Sequence, residues 1–302
     1  MKSYSEDYTR YLRHERRMSD NTVDAYCRDV NEFTRYLDMT SIEDVRGIQQ
    51  TDILSFMEKL RTEGRSQSTM GRKISSVRSY VTFLYDRGLI DSNPSVGVKP
   101  GCTARKSVEY LTIEEVSRLL SAPDESIKGI RDRAILELLY GTGIRVTELI
   151  SMLTTEMNLT IGFITCRGDY GKARIIPLGR PCRAALERYM EVSRPRFLEA
   201  ARKSESFAPG EDYLFLNVHG EKLTRQGLWK IVSNYSEKAG LGHRLTPQVL
   251  RNSFAVHMLQ NGADVRTMQE LMGFEDPATL QVYLNVTRNR IKEVFDKTHP
   301  RA

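Results

Sequence analysis

The sequence predicts a mainly α-helical protein with a small β-sheet, an α+β fold divided between two domains. Three observations carry that prediction. Apolar residues recur at helical spacing through residues 1–90. The pattern breaks at residues 91–108, where DSNPSVGVKPGCTARKSV holds two prolines and two glycines and no periodicity. Helical spacing then resumes over residues 109–302, interrupted by a pair of short β-branched segments. A length of 302 residues agrees with two domains, because single cores rarely grow beyond roughly 250 residues.

In the first domain, Ser19 or Asn21 can cap a helix whose apolar stripe is Tyr26, Val30, Phe33 and Leu37. Thr51 can cap a shorter helix carrying Ile53, Leu54, Phe56 and Leu60. Ser66 or Ser68 opens another, with Met70, Ile74, Val77, Val81 and Leu84 on its buried stripe. Its opposite, polar face carries Arg72, Lys73, Ser76 and Arg78, and Gly88 ends it. Four helices in about 90 residues make a small bundle. Residues 91–108 read as a linker.

In the second domain, Thr112 and Glu115 form a capping box ahead of an apolar run. A helix through Ile135, Leu138 and Leu139 stops at Gly141-Thr142-Gly143. Residues 161–166 and 174–178 bracket Gly168-Asp169-Tyr170-Gly171, a β-hairpin with a longer turn. Residues 212–216 can add a strand. Thr246-Pro247 and Asp276-Pro277 each place an N-cap before a proline at the first helical position.

The formal net charge is +6, from 45 Lys+Arg against 39 Asp+Glu. Residues 1–108 hold 18 basic and 15 acidic side chains and the remainder 27 and 24, so +3 falls in each part and no basic tail exists. That excess favours a polyanionic partner only slightly. Cys27, Cys102, Cys166 and Cys182 are far apart and make no C-x-x-C pair, so neither a zinc site nor a redox pair is expected. They read as buried or incidental thiols. MKSYSEDYTR has no apolar signal region, and no run approaches 18 apolar residues. A reducing cytoplasm, no membrane, no metal and no cofactor are the expectations.

Cutting a DNA phosphodiester without metal needs a nucleophile, positive charge on the non-bridging oxygens, and an acid for the leaving 5′ oxygen. Arginine suits the clamp, because its planar fork pairs bidentately with phosphate and stays charged. A tyrosine nucleophile stores the bond energy as a phosphotyrosine. Three segments offer these groups in order: LYGTGIRVTEL around Arg145, LTPQVLRNSFAVH around Arg251, and LMGFEDPATLQVY ending at Tyr283.

On these segments the chain closely resembles the tyrosine recombinases, most of all the bacterial Xer type, whose motifs read TGLRxSEL, HxLRHxFATHLLxxGAD and LLGHxxxxTTxxY. The likeness runs through nearly the whole chain. Residues 21–29, NTVDAYCRD, resemble the family's first DNA-clamping helix, and the ending His299-Pro300-Arg301-Ala302 is Xer-like. The resemblance implies a core-binding SAM-like helical domain followed by a recombinase catalytic domain. It implies Arg145 and Arg251 as the phosphate clamp, Tyr283 as the nucleophile, and Glu148 and Asp264 as structural supports. Double-stranded DNA is the implied partner, gripped by a C-shaped clamp that sets helix 66–87 near a major groove. Arg28, Arg72, Lys73 and Arg78 are the candidate DNA contacts. Residues 288–297, with Ile291, Val294 and Phe295, would form a helix that docks on a neighbouring protomer of a tetramer. A second recombinase is the other implied partner.

The pattern departs from the family at the acid–base positions. Gln248 stands where the family has His, and its carboxamide cannot take a proton near pH 7. Phe274 stands where the family has His or Trp, and donates no hydrogen bond. Aligned on the Arg-x-x-Pro-Leu that follows, Asp169 falls on the family's general-acid lysine. A carboxylate there repels phosphate rather than protonating an alkoxide. Asn252 replaces the usual His beside Arg251. Lys172 aligns with the family's second hairpin lysine and is the candidate replacement acid, with Arg167 just before the turn. Two readings stand: a slow or partner-dependent recombinase, and a non-catalytic DNA-binding protein that keeps the recombinase fold.

Overall fold

The computed structural model describes residues 4–42, 44–99, 108–168, 173–202, 212–242, 245–274 and 276–287. The chain divides into two compact units, residues 1–106 and 107–302.

All regular secondary structure among the described residues of the first unit is helical. Helix α1 (Ser5–Arg10) runs into a wider π turn (Tyr11–Glu15), followed by α2 (Asp20–Met39), α3 (Gln50–Thr62) and α4 (Gln67–Asp86). Ser66 caps α4 by accepting the Thr69 N–H at 3.2 Å. Helix α3 starts earlier than Thr51: Gln49 is its N-cap, and the Asp52 carboxylate takes the Gln49 N–H at 2.8 Å. Its stripe is narrower than expected, with Leu54 half exposed. The core joins Tyr8, Phe33, Leu37, Phe56, Ile74, Tyr80 and Leu84, all buried. Phe33 and Phe56 meet edge to face at 5.2 Å.

The polar face of α4 is not the open basic surface the spacing suggested. Asp29 of α2 is 1% exposed and draws α4 side chains inward. Ser76 Oγ donates to it at 2.9 Å, Lys73 Nζ at 3.3 Å, and Arg72 also pairs with it. Lys73 further reaches Glu32 at 2.5 Å. A carboxylate removed from water needs this compensation. Lys73 lies one turn from Met70 and Val77, so it flanks the buried stripe rather than opposing it. Arg72 keeps an exposed edge, and Arg78 and Arg28 are exposed. The start of the linker is packed too. Val98 and Ser95 are buried, and Asn93 donates to Thr82 at 3.2 Å.

The second unit contains α5 (Ile113–Ser121), α6 (Ile127–Thr142), α7 (Val146–Ser151), β1 (Met157–Asn158), β2 (Phe163–Arg167) and β3 (Ala173–Pro177). After them come α8 (Arg180–Arg188), a π turn (Tyr189–Ser193), α9 (Arg194–Arg202), α10 (Arg225–Lys238), α11 (Pro247–Gln260) and α12 (Val265–Met272). A 3₁₀ turn (Pro277–Leu280) leads into a helix, α13, over the described residues 281–287. The three strands form an antiparallel sheet in the order β1-β2-β3, with Cys166 opposite Arg174. The turn residues Asp169 and Lys172 lie outside the described residues, as do Cys102 and the segment 288–302. Residues 212–216 do not join the sheet. Tyr213 and Leu216 make isolated bridges to Leu153 and Lys222, because the segment's backbone groups are taken by loops on either side.

Helix α6 is the core of this unit: Ile135, Leu136, Leu138 and Leu139 are fully buried. It ends at Gly143, which is left-handed at φ 58°. A Cβ there would lie 2.3 Å from the Phe254 ring of α11. The glycine therefore lets the two helices close together where the site forms. No helix among the described residues is long and apolar enough to cross a membrane.

Candidate active site

The turn at Gly273 organises the site. Gly273 ends α12 at φ 63°, where its missing Cβ leaves room for Arg174. The turn presents two consecutive carbonyls, and each takes one arginine. Arg251 Nη2 donates to Met272 O at 2.7 Å, and Arg145 Nη2 to Gly273 O at 2.6 Å. Arg251 also bonds the carbonyl of Gly143, so the ends of α6 and α12 hold it between them.

Arg145 occupies the N-cap of α7, and Glu148 sits one turn on. Glu148 accepts the Arg145 backbone N–H at 2.7 Å and Nη1 at 3.1 Å. Arg174 of β3 brings two more bonds, at 2.6 and 2.8 Å, and its Nε donates to Leu271 O at 2.8 Å. One buried carboxylate thus fixes two guanidiniums. Burial alone would raise the Glu148 carboxyl, but the bonds from Arg174, then from Arg145, outweigh it and hold it below the ordinary range. Beside this cluster a shallow pocket is lined by Arg145, Thr147, Glu148, Ser151 and Arg167. Arg167 itself pairs with Glu156 at 2.6 Å.

Arg251 is 4% exposed. Burial, with the charge of Arg145 second, draws its guanidinium down to about 10, so it remains cationic at neutral pH. Its Cζ lies 5.1 Å from the centre of the Phe274 ring, a cation–π contact. The same ring stacks on Tyr283, 6.3 Å between centres at 28°. Phe274 therefore has a packing role in place of a donor: its ring links Arg251 to Tyr283.

Tyr283 lies on α13 and is 6% exposed. Its hydroxyl donates to Asn252 Oδ1 at 3.0 Å. Gln248 Nε2, at the exposed start of α11, donates to the same oxygen at 2.9 Å. Burial raises the Tyr283 hydroxyl above its ordinary value, and the charge of Arg251 opposes that. His257, the histidine ending the second box, is buried, with Nδ1 3.0 Å from the Tyr140 hydroxyl between α6 and α11. Asp264 caps α12, accepting from Thr267 N at 2.9 Å.

Arg145, Arg251, Gln248, Phe274 and Tyr283 thus converge, although up to 138 positions separate them in the chain (283 minus 145). Arg28, Arg72, Lys73 and Arg78 belong to the first unit. Sequence reasoning missed two members of the site. Arg174 served only as an alignment mark in Arg-x-x-Pro-Leu, and Asn252 only as a missing histidine. The signal for Arg174 was available: a charged residue in a hairpin strand opposite a buried position needs a buried partner.

Comparison with known proteins bears on this geometry. Residues 109–290 match the phage integrase family, and residues 6–88 match the phage integrase N-terminal SAM-like domain. A tyrosine recombinase XerD of Listeria monocytogenes serovar 1/2a is 40% identical over 304 residues, covering 100% of both chains. A tyrosine recombinase XerD of Oceanobacillus iheyensis is 40% identical over 300 residues, covering 98% of each. Among solved structures, the XerH site-specific recombinase bound to palindromic difH substrate, a post-cleavage complex, superposes with a TM-score of 0.72. That match covers 96% of this chain and 83% of the other at 19% identity, a likeness of fold. A lambda integrase dimer bound to a COC′ core site gives 0.71, with 94% of each chain covered at 17% identity.

Proposed function

The chain belongs to the phage integrase family of tyrosine recombinases, and from that premise we propose that it binds a specific duplex DNA site and cleaves it slowly, or only with a partner. The observation that carries the reading is the Gly273 turn, where Arg145 and Arg251 anchor on neighbouring carbonyls and Phe274 connects Arg251 to Tyr283. Held this way, the guanidiniums suit the non-bridging oxygens of one phosphodiester.

In the reaction, Tyr283 Oη bonds to phosphorus and the bond from phosphorus to the 5′ oxygen breaks. The 3′ end is then carried as a phosphotyrosine, and the 5′ end leaves as a hydroxyl. One proton must depart from the tyrosine and one must reach the 5′ oxygen. Gln248 cannot accept the first, Phe274 supplies none, and a carboxylate at Asp169 is ill suited to the second. Each acid–base group typically contributes about 10²–10⁴ in rate, so binding outlasts cleavage. Lys172 is the candidate acid if cleavage occurs. A tetramer on DNA, joined through residues 288–297, and a cytoplasmic location complete the proposal.

The second reading is an architectural or regulatory DNA-binding protein. Gln248 and Phe274 favour it, since both are tied into packing and hydrogen bonds rather than open to acid–base work. A nicked suicide duplex carrying the cognate site, found by footprinting near the encoding locus, separates the two. Covalent protein–DNA that is lost in Tyr283→Phe supports the recombinase. Tight binding without capture, with every known partner supplied, supports the binding protein.

A further inference from the structure

The carboxamide of Asn252 makes three hydrogen bonds, and one of them is to the nucleophile candidate. Its Nδ2 donates to Glu109 O at 3.0 Å, which fixes the amide orientation and turns Oδ1 toward Tyr283. Oδ1 then accepts from the Tyr283 hydroxyl at 3.0 Å and from Gln248 Nε2 at 2.9 Å. The three partners come from the unit's first described residues, from α11 and from α13, so the bond sits at a junction of separate segments.

We propose that Asn252 is a positioning residue for Tyr283: it holds the tyrosine hydroxyl in a neutral, hydrogen-bonded resting position from which the oxygen must be released before it can attack. This rests on the reading of Tyr283 as the nucleophile. The chemistry is specific to a carboxamide. Its oxygen accepts a hydrogen bond but does not take the proton near neutral pH. A histidine, which the resemblance places beside the arginine, can take that proton. Asn252 therefore stabilises the protonated phenol and offers no route for its proton. The surroundings act in the same sense, because Tyr283 is almost fully buried and covered by the Phe274 ring. Arg251, the cation whose charge acts on it, donates to the carbonyls of Gly143 and Met272.

The test uses the full-length protein without DNA. Tetranitromethane nitrates tyrosinate, and mass spectrometry of the Tyr283 peptide gives its rate from about pH 6 to 10, around the ordinary phenol range. Asn252→Leu keeps the γ-branched side-chain shape and removes the acceptor. Asn252→Asp keeps the acceptor and adds a negative charge. We expect Asn252→Leu to raise Tyr283 nitration about fivefold near neutral pH, the factor of one net hydrogen bond, and to lower the pH of half-maximal rate. Asn252→Asp should slow nitration and raise that pH. A merely structural role would loosen the site in both variants and raise both rates. An unchanged Asn252→Leu, or two variants moving together, overturns the proposal. Should Asn252→Leu fail to fold by circular dichroism, the direction of Asn252→Asp decides. Because no DNA is used, the result is independent of the suicide-duplex assay: the positioning role can hold while the cleavage reading fails, and the reverse.

Discussion

Replacing Glu148 by Gln keeps the side chain's shape and removes the charge that two arginines share. Glu148 is 7% exposed and accepts four N–H bonds, two from Arg145 and two from Arg174. A glutamine retains one acceptor oxygen and turns an NH₂ toward a guanidinium. Removing one partner of a buried ion pair costs about 3–5 kcal/mol. The Arg145 side chain is 31% exposed and can hydrate, whereas Arg174 at 12% cannot do so freely, which places the loss near the lower end, about 3 kcal/mol. For a unit of about 200 residues, 1 kcal/mol shifts Tm by about 2–4 °C, so the variant should melt about 6–12 °C lower. Trp229 is the chain's single tryptophan and lies on α10, so its fluorescence follows the second unit alone. The carboxyl is held below its ordinary 4.5, so its stabilisation is fully present above that pH and is lost as pH falls through the depressed folded value. The gap between wild type and variant should therefore narrow below about pH 4.5. A Tm difference under about 2 °C at pH 7, or a gap that widens in acid, would show that Glu148 is not a buried, shared counter-ion.

Two further predictions use the same logic of burial. Gly143→Ala forces a Cβ onto a left-handed backbone and against the Phe254 ring, so the second unit should lose about 3 kcal/mol or more, read as an earlier Trp229 transition; an unchanged midpoint would mean the α6–α11 approach is looser than described. In the first unit, Arg78→Ala should leave stability unchanged while lowering the salt slope of DNA affinity by about 1, whereas Lys73→Ala should cost about 3 kcal/mol by removing a buried partner of Asp29; equal effects of the two on the slope would contradict the burial of Lys73.

The helices were legible because their signals are local. Ser66, Thr112 and Thr246 each accept the N–H three residues on, as their positions before apolar runs suggest. The hairpin was legible from β-branched residues around glycines. What was hidden depends on partners distant in the chain. Lys73 reads as a surface charge until Asp29 is brought beside it, 44 residues away. Asn252 reads as a lost histidine until Tyr283, 31 residues on, donates to it. Phe274 reads as a defect in a catalytic box, yet its ring bridges Arg251 and Tyr283, a contact that no spacing rule contains. Residues 212–216 have the composition of a strand, but their backbone groups pair with the loops beside them.

In the proposed reading, Arg145, Arg251 and Tyr283 are assembled while the proton-transfer groups are missing. The most direct measurement is the single-turnover rate of covalent capture on the cognate suicide duplex, at saturating protein. It compares wild type with Asp169→Lys, Gln248→His and Phe274→His combined, and uses Tyr283→Phe in that background as control. Wild type should show little capture, the combined variant a rise of at least about 10², and the control none. Because Phe274 packs on Arg251, the pair Asp169→Lys with Gln248→His should give most of that rise even if the third change costs stability. Efficient capture by wild type, at a rate the restored groups do not improve, would contradict the claim and point to Lys172 as the working acid.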